Sequence, residues 1–466
     1  MIKEQKEVDT KISTNQNTKK LSQYTEGNIP KQLLYNSIPM IFALGFMISF
    51  NLIDTYFVAQ LGNKPLAALT FSFPIVFLIT GVAMGLGIGA SAVISRAIGE
   101  GNNNLVQRLT TDSIIIALFF VAIFSGLGLL FLEDIFYLFK AKQDLIPYIR
   151  DYMTVILSGN IFIVIPLVGN AATRATGDTK TPSMIMFLAV IINIILDPIL
   201  LFGWGPIPSL GIAGAAWATV ISRFITLIVS LYVLIYRDKM ISLKIPLLSE
   251  FKKSSKSILQ VGLPSVLTNL IVPLGFGIIV RFVSKYGESA VAGLGAASRI
   301  EIVMLAVFMA FSTVLGPFIG QNLGAKKFDR IRDAIKYGHL FALSWGIITS
   351  SILYFFAEEI SRTFKNDNEI VAIMILYLQI APITIGMRGI IINVTTTLNV
   401  LKKPFLAAWL NISQVFIIFI PVAFILSNYT EFGLRGIFAS SVISSLIVSI
   451  LSYFILNKEL KRLENV

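Results

Sequence analysis

Apolar stretches of about 20 residues, long enough to cross a bilayer as helices, recur along nearly the whole chain. Nothing constrains the fold more. A backbone in lipid must satisfy its own hydrogen bonds, so only helices and closed barrels can span. The stretches are continuously apolar rather than alternating, which selects helices. Twelve spans fit, over residues 32–60, 66–97, 106–132, 145–172, 182–203, 211–236, 256–285, 289–320, 334–357, 369–400, 405–426 and 434–456. Composition agrees: 55% of residues are hydrophobic and 14% charged, against about 25% charged in soluble domains. The expected fold class is therefore an all-α polytopic membrane protein with twelve transmembrane helices.

The net charge of +12 raises the question of nucleic acid, and its distribution answers it. With span-edge residues counted in the nearest connector, the even-numbered connectors and both tails hold 26 of the 38 Lys/Arg, the odd-numbered connectors 9. Basic residues collect on the cytosolic side of membrane proteins. Both termini are thus expected in the cytosol of a cell-membrane protein, and no nucleic-acid partner is expected. The polar first 30 residues lack the apolar core of a signal peptide and read as a disordered cytosolic tail. Cysteine is absent and His339 is the single histidine, so neither a thiolate metal site nor a Ser/His/Asp relay is available. No phosphate-binding glycine loop appears, and no enzyme activity or cofactor is expected.

The stretch RDKMISLKIPLLSEFKKSSKS is the longest polar-rich break, and six spans lie on either side of it. Sliding the chain by 225 residues puts Pro39 on Pro264, Phe57 on Phe282, Gly62 on Gly287, Leu69 on Leu294 and Gly99 on Gly324. Self-similarity at one offset marks a repeat. Six spans is an even number, so the copies share one membrane orientation, an arrangement known among alternating-access transporters. The expected organisation is a tail at 1–30, six-helix lobes at 31–237 and 256–457, a linker at 238–255 and a second tail at 458–466.

The polar content is one-sided, because Asp54 in NLIDTYFVAQLG falls on apolar Ile279 at that offset. The fifth span adds Asn193 and Asp197, four apart and so on one helix face. Asn51 lies three before Asp54 and is expected on its face. Counted from the outer helix ends at about 1.5 Å per residue, Asp54, Asp197 and Thr219 all lie roughly 9–12 Å deep. Pro198 has no N–H to give the Ile194 carbonyl, which adds an oxygen beside Asn193. Two carboxylates in a low dielectric do not both stay charged cheaply, so the cluster suits a shared proton or a hard cation. Intramembrane acids are costly and mark function. Arg223, farther along span six, could face an internal cavity or pair with an acid. Arg299 and Glu301 read as a polar patch near the outer end of span eight. Gly81, Gly85 and Gly89 have GxxxG spacing, which close helix packing explains.

In their order and spacing, NLIDTYFVAQLG, RAIGEGN, RATGDTKTP, NIILDP, GLPSVLTNLIVPLGFG and IGQNLGAKK resemble the multidrug and toxic compound extrusion (MATE) transporters over roughly residues 30 to 456. The likeness is to the DinF-type branch with a first-span aspartate. It implies two pseudo-symmetric six-helix lobes, and export of amphipathic or cationic drugs in exchange for H⁺ or Na⁺. It also implies a cation site at Asp54, Asn193, Asp197 and Thr219, with lobe-lining positions at Tyr152 and Asn170. Together with Asn51 and Arg223, these last make the candidate substrate cavity. Spans seven and ten lack the interior acids of another family branch, which favours coupling in the first lobe. The expected partners are small molecules and the lipid bilayer, and a monomer is expected. The alternative is a related flippase for lipid-linked precursors, to which Arg223 and Arg388 lend a cationic cavity.

Overall fold

A computed structural model describes residues 23–242, 247–364 and 367–464. The described chain is helical throughout, with one isolated bridge between Trp204 and Ile207 as its extended pairing. The helices are α1 (Ile29–Gln60), α2 (Asn63–Gly99), α3 (Asn103–Leu130), α4 (Leu132–Leu138), α5 (Ile146–Ser158), α6 (Asn160–Ala175), α7 (Lys180–Phe202) and α8 (Ile212–Tyr232). After these come α9 (Leu248–Val283), α10 (Glu288–Gly324), α11 (Phe328–Phe355), α12 (Ala357–Phe364), α13 (Asn368–Ile380) and α14 (Thr384–Val400). The last three are α15 (Pro404–Ile412), α16 (Ile420–Asn428) and α17 (Gly433–Glu464).

Among the described residues, eleven segments are long and apolar enough to cross a membrane, and one bent pair completes the expected twelve. That pair is the fourth span, which breaks by 47° between Gln143–Ser158 and Asn160–Ala175. The sequence reads as continuous over 145–172. The break falls at Gly159, where a Cβ would come within 2.4 Å of the Val220 side chain. A neighbouring helix presses on the backbone there, and local sequence does not show that. Large apolar side chains such as Phe42, Leu52, Ile347 and Phe405 are exposed. In water they would be aggregation-prone patches; in a membrane they meet acyl chains.

Contacts divide the chain into two compact units. The first holds Ile38–Val266 with the described residues up to Thr25; the second holds Glu26–Ser37 with the described residues from Leu267 onward. Within the first, α2 and the start of α9 approach closely. A Cβ on Gly85 would lie 2.4 Å from Val266, and one on Gly89 2.6 Å from the Ile258 carbonyl. The glycine spacing therefore serves packing. Gly81 meets nothing within 4 Å.

Residues 1–22 of the expected tail lie outside the described residues, but its end is packed. Tyr24 is buried, and its hydroxyl donates to the Gly177 carbonyl at 3.2 Å. An aromatic ring with one hydrogen-bonding group suits such a partly apolar seat. Residues 243–246 of the expected linker also lie outside the description. Before them, Gln107 Nε2 donates to the Lys239 carbonyl at 2.9 Å and the Ser242 N–H donates to Thr111 Oγ1 at 2.9 Å. The linker's first residues are thus laid along α3.

Candidate functional site

The first unit positions its polar residues by pinning both ends of the α7–α8 pair. At one end, Gly203 and Gly211 take φ of +84° and +56°, a region that favours glycine. The loop between them closes with Leu210 N–H to the Leu200 carbonyl at 2.9 Å and Ser209 Oγ to the Leu201 carbonyl at 2.6 Å. Gly214 then packs so tightly that a Cβ would lie 2.3 Å from the Leu200 oxygen. At the other end, Asp178 accepts from Thr181 N–H at 3.0 Å and Thr181 Oγ1 at 2.5 Å, occupying donors at the start of α7. Arg237 ties this cap to the chain beyond α8 by donating to Asp178 at 2.8 Å and to Thr181 Oγ1 at 2.5 Å. The RATGDTKTP motif is in this respect a helix cap with an arginine clamp.

Helix α1 lies against this pair. The rings of Phe46 and Phe187 are 4.8 Å apart, and Ser183 Oγ reaches Met40 Sδ at 3.5 Å. The Arg223 guanidinium sits 5.1 Å from the Phe50 ring centroid. One turn beyond Phe50, Asp54 is buried, as are Asn193, Asp197 and Thr219. Asn193 Nδ2 donates to Asp197 Oδ1 at 3.1 Å, the contact that their four-residue spacing permits. The Asp54 and Asp197 carboxylates lie close enough to act on each other electrostatically, and both act on the buried Tyr152 hydroxyl. Tyr152 is thus within electrostatic range of the acids.

The decisive feature is what these groups lack. Asp54 Oδ1, Asp197 Oδ2 and Asn193 Oδ1 are all buried without a hydrogen-bond partner. Buried acceptors are ordinarily satisfied, and leaving one bare costs about 1–3 kcal/mol. Three bare oxygens on two facing elements fit a bound proton or a hard monovalent cation. A transition-metal centre does not fit, because no cluster of three or more His, Cys, Asp or Glu occurs among the described residues.

Other expected residues are placed differently. Asn51 is exposed and donates to the Met47 carbonyl at 3.2 Å instead of facing inward with Asp54. Its amide is taken up by a backbone carbonyl one turn back, so the shared face does not bring it to Asp54. Asn170 is buried on α6 with its Oδ1 unpartnered, and nothing among the described residues bonds it to the acids. Arg223 is partly buried, and its Nε has no partner. In the second unit Glu301 is not the interfacial patch expected with Arg299. It is buried, accepts from the Tyr377 hydroxyl, and pairs with Arg388 at 2.6 Å, while Arg299 is exposed. Its depth is legible in the sequence, since Glu301 lies thirteen residues, about 20 Å, past the first residue of α10.

A twelve-span helical bundle matched twice along its length, with partnerless oxygens on an acidic pair in the first unit, has the architecture of a membrane transporter. The chain belongs to the MatE family, whose profile matches it twice, over residues 39–199 and 264–425. The two matches begin at Pro39 and Pro264, a pair that the 225-residue offset superposes. The chain is 35% identical to a protein of Shewanella oneidensis named FAD transporter, over 92% of this chain and 94% of that one. It is 27% identical to a probable multidrug resistance protein NorM of Thermotoga maritima, over 88% of each. Among solved structures, the bent form of the Vibrio cholerae MATE transporter VcmN superposes with a TM-score of 0.87 at 28% identity, covering 96% of this chain and 99% of that one. The protein is a transporter and not an enzyme.

Proposed function

We propose that this protein is a secondary active exporter of amphipathic or cationic organic compounds, driven by H⁺ or Na⁺ entering at Asp54, Asn193, Asp197 and Thr219. The reading is carried by the three bare oxygens. Without a cation, two adjacent carboxylates repel each other in a medium of low dielectric and leave buried acceptors unsatisfied. A proton on either acid, or Na⁺ among the oxygens, relieves both penalties. The ion therefore binds one arrangement of the first unit's helices better than another, and that difference in affinity is what drives a conformational exchange. Substrate is expelled in the ion-bound arrangement and loaded after the ion leaves, by alternating access. The protein works in this reading as a monomer in the cell membrane with both termini in the cytosol.

A second substrate reading rests on a separate observation. The similarity to a protein named FAD transporter goes with an Arg223 guanidinium that lies on an aromatic ring and keeps an unpartnered Nε. Such a group can receive an anion, so a flavin dinucleotide is a candidate cargo. The test of the exporter reading is efflux from proteoliposomes under separately imposed proton and sodium gradients. Wild-type protein is expected to respond to one of them and Asp54→Asn to neither. Full gradient-driven export by Asp54→Asn would remove Asp54 from the mechanism.

A further inference from the structure

Beyond Asp54 and Asp197, three acids are buried among the described residues: Asp112, Glu301 and Glu459. Two have local explanations near helix ends, Asp112 paired with Arg108 at 2.8 Å and Glu459 with Arg462 at 2.8 Å and Lys403 at 3.3 Å. Glu301 differs. It lies well inside the span formed by α10, and its partners come from two other helices, Tyr377 on α13 and Arg388 on α14. Both of its oxygens are committed, Oε2 to the Tyr377 hydroxyl and Oε1 to Arg388 Nη1 at 2.6 Å. Tyr377 is itself held edge-on by the Phe438 ring, with centroids 5.0 Å apart. Each carboxylate oxygen has a partner, whereas most of the guanidinium's N–H groups have none.

Arg388 carries five N–H donors, of which one engages Glu301, and its side chain remains 36% exposed. Among the described residues, the other N–H groups of the fork engage no protein acceptor. A buried ion pair gives little net stability compared with an apolar pair of similar volume, and intramembrane charge is expensive. Stability alone therefore gives weak grounds for building this cluster. An arginine pre-oriented by a carboxylate and offering free N–H groups matches the geometry of a carboxylate or phosphate.

We propose that Arg388, oriented by Glu301 and Tyr377, anchors an anionic group of the transported compound, a carboxylate or a phosphate. The proposal rests on the exporter reading and adds a substrate class to it. Glu301 competes with the incoming anion for the same guanidinium, which keeps binding weak enough for release. Replacing that competitor with a neutral amide strengthens anion binding, whereas removing the guanidinium weakens it.

The experiment measures transport by purified full-length protein in proteoliposomes with three probes: ethidium as a cation, carboxyfluorescein as a carboxylate and FAD as a phosphate. For at least one anion, Arg388→Gln is expected to raise KM relative to that for ethidium by about tenfold, the order of a charge-assisted hydrogen bond. Glu301→Gln is expected to shift the same ratio the opposite way. Arg388→Lys keeps the charge but loses the fork, and a several-fold rise in that ratio carries the test if Arg388→Gln does not fold. The two anions separate carboxylate from phosphate recognition. Equal changes for all three probes, or wild-type transport of ethidium but of neither anion, overturn the proposal and leave the exporter reading standing. If wild-type protein moves none of the three, the exporter reading fails as well.

Discussion

The chain matches one family profile twice, yet one acidic site in each unit is treated in opposite ways. In the first, Asp54 and Asp197 face each other's charge, and each keeps a buried oxygen without a partner. In the second, each oxygen of Glu301 has a partner, an arginine on one and a tyrosine on the other. The repeat position of Asp54 is Ile279, so the acidic pair is not inherited from the duplicated plan. Span count and acidic content therefore do not by themselves mark a coupling site. An unsatisfied carboxylate has energy to gain from an arriving cation, while a neutralised one has already gained it from a neighbour.

The sharpest way to break the contrast is to neutralise one acid in each unit. Asp54→Asn or Asp197→Asn should reduce gradient-driven efflux more than about tenfold, the scale of a charge-assisted contact, with little loss of thermal stability. Glu301→Ala should do the reverse on the stability side. It strands the Arg388 guanidinium and should cost about 1–3 kcal/mol, below the value for a fully buried pair because Arg388 is partly exposed. Thermal unfolding in detergent checks both. If Asp54→Asn destabilises the protein as much as Glu301→Ala, the acids of the first unit are structural and the contrast fails.

Smaller effects sharpen how each unit is built. Gly89→Ala drives a methyl against the Ile258 carbonyl in the first unit, and Gly346→Ala drives one to 2.4 Å from Gly386 in the second. Each should cost about 1–3 kcal/mol by overpacking, read as a lowered unfolding midpoint. Asp178→Ala removes the carboxylate that accepts from Thr181 N–H at the start of α7 and from Arg237, and should cost about 1 kcal/mol. Because α7 carries Asn193 and Asp197, a loss of coupling larger than the loss of stability would show that the cap also positions the site.

Much of this is legible in the sequence alone. Hydropathy marks twelve spans, and the offset between Pro39 and Pro264 marks the repeat. Counting residues from helix ends groups Asp54 with Asp197, because depth in a straight helix is simple arithmetic; Thr219, grouped with them by the same count, is buried. What escapes depends on contacts distant in sequence. The bend in the fourth span falls at Gly159, where Val220 leaves no room for a Cβ, and the hydroxyl of Tyr24 is held by the Gly177 carbonyl. The arginine partner of Glu301 lies 87 residues along the chain. Asn51 departs from expectation for a local reason: its side chain finds a backbone carbonyl one turn back.

In the proposed mechanism Asp54 and its neighbours take up the cation that powers export. The most direct test loads proteoliposomes with ethidium and imposes a proton gradient or a sodium gradient alone, with wild-type and Asp54→Asn protein side by side. One gradient is expected to accelerate wild-type efflux, and the variant's efflux is expected to be the same with or without it. Equal acceleration of both proteins would contradict that mechanism.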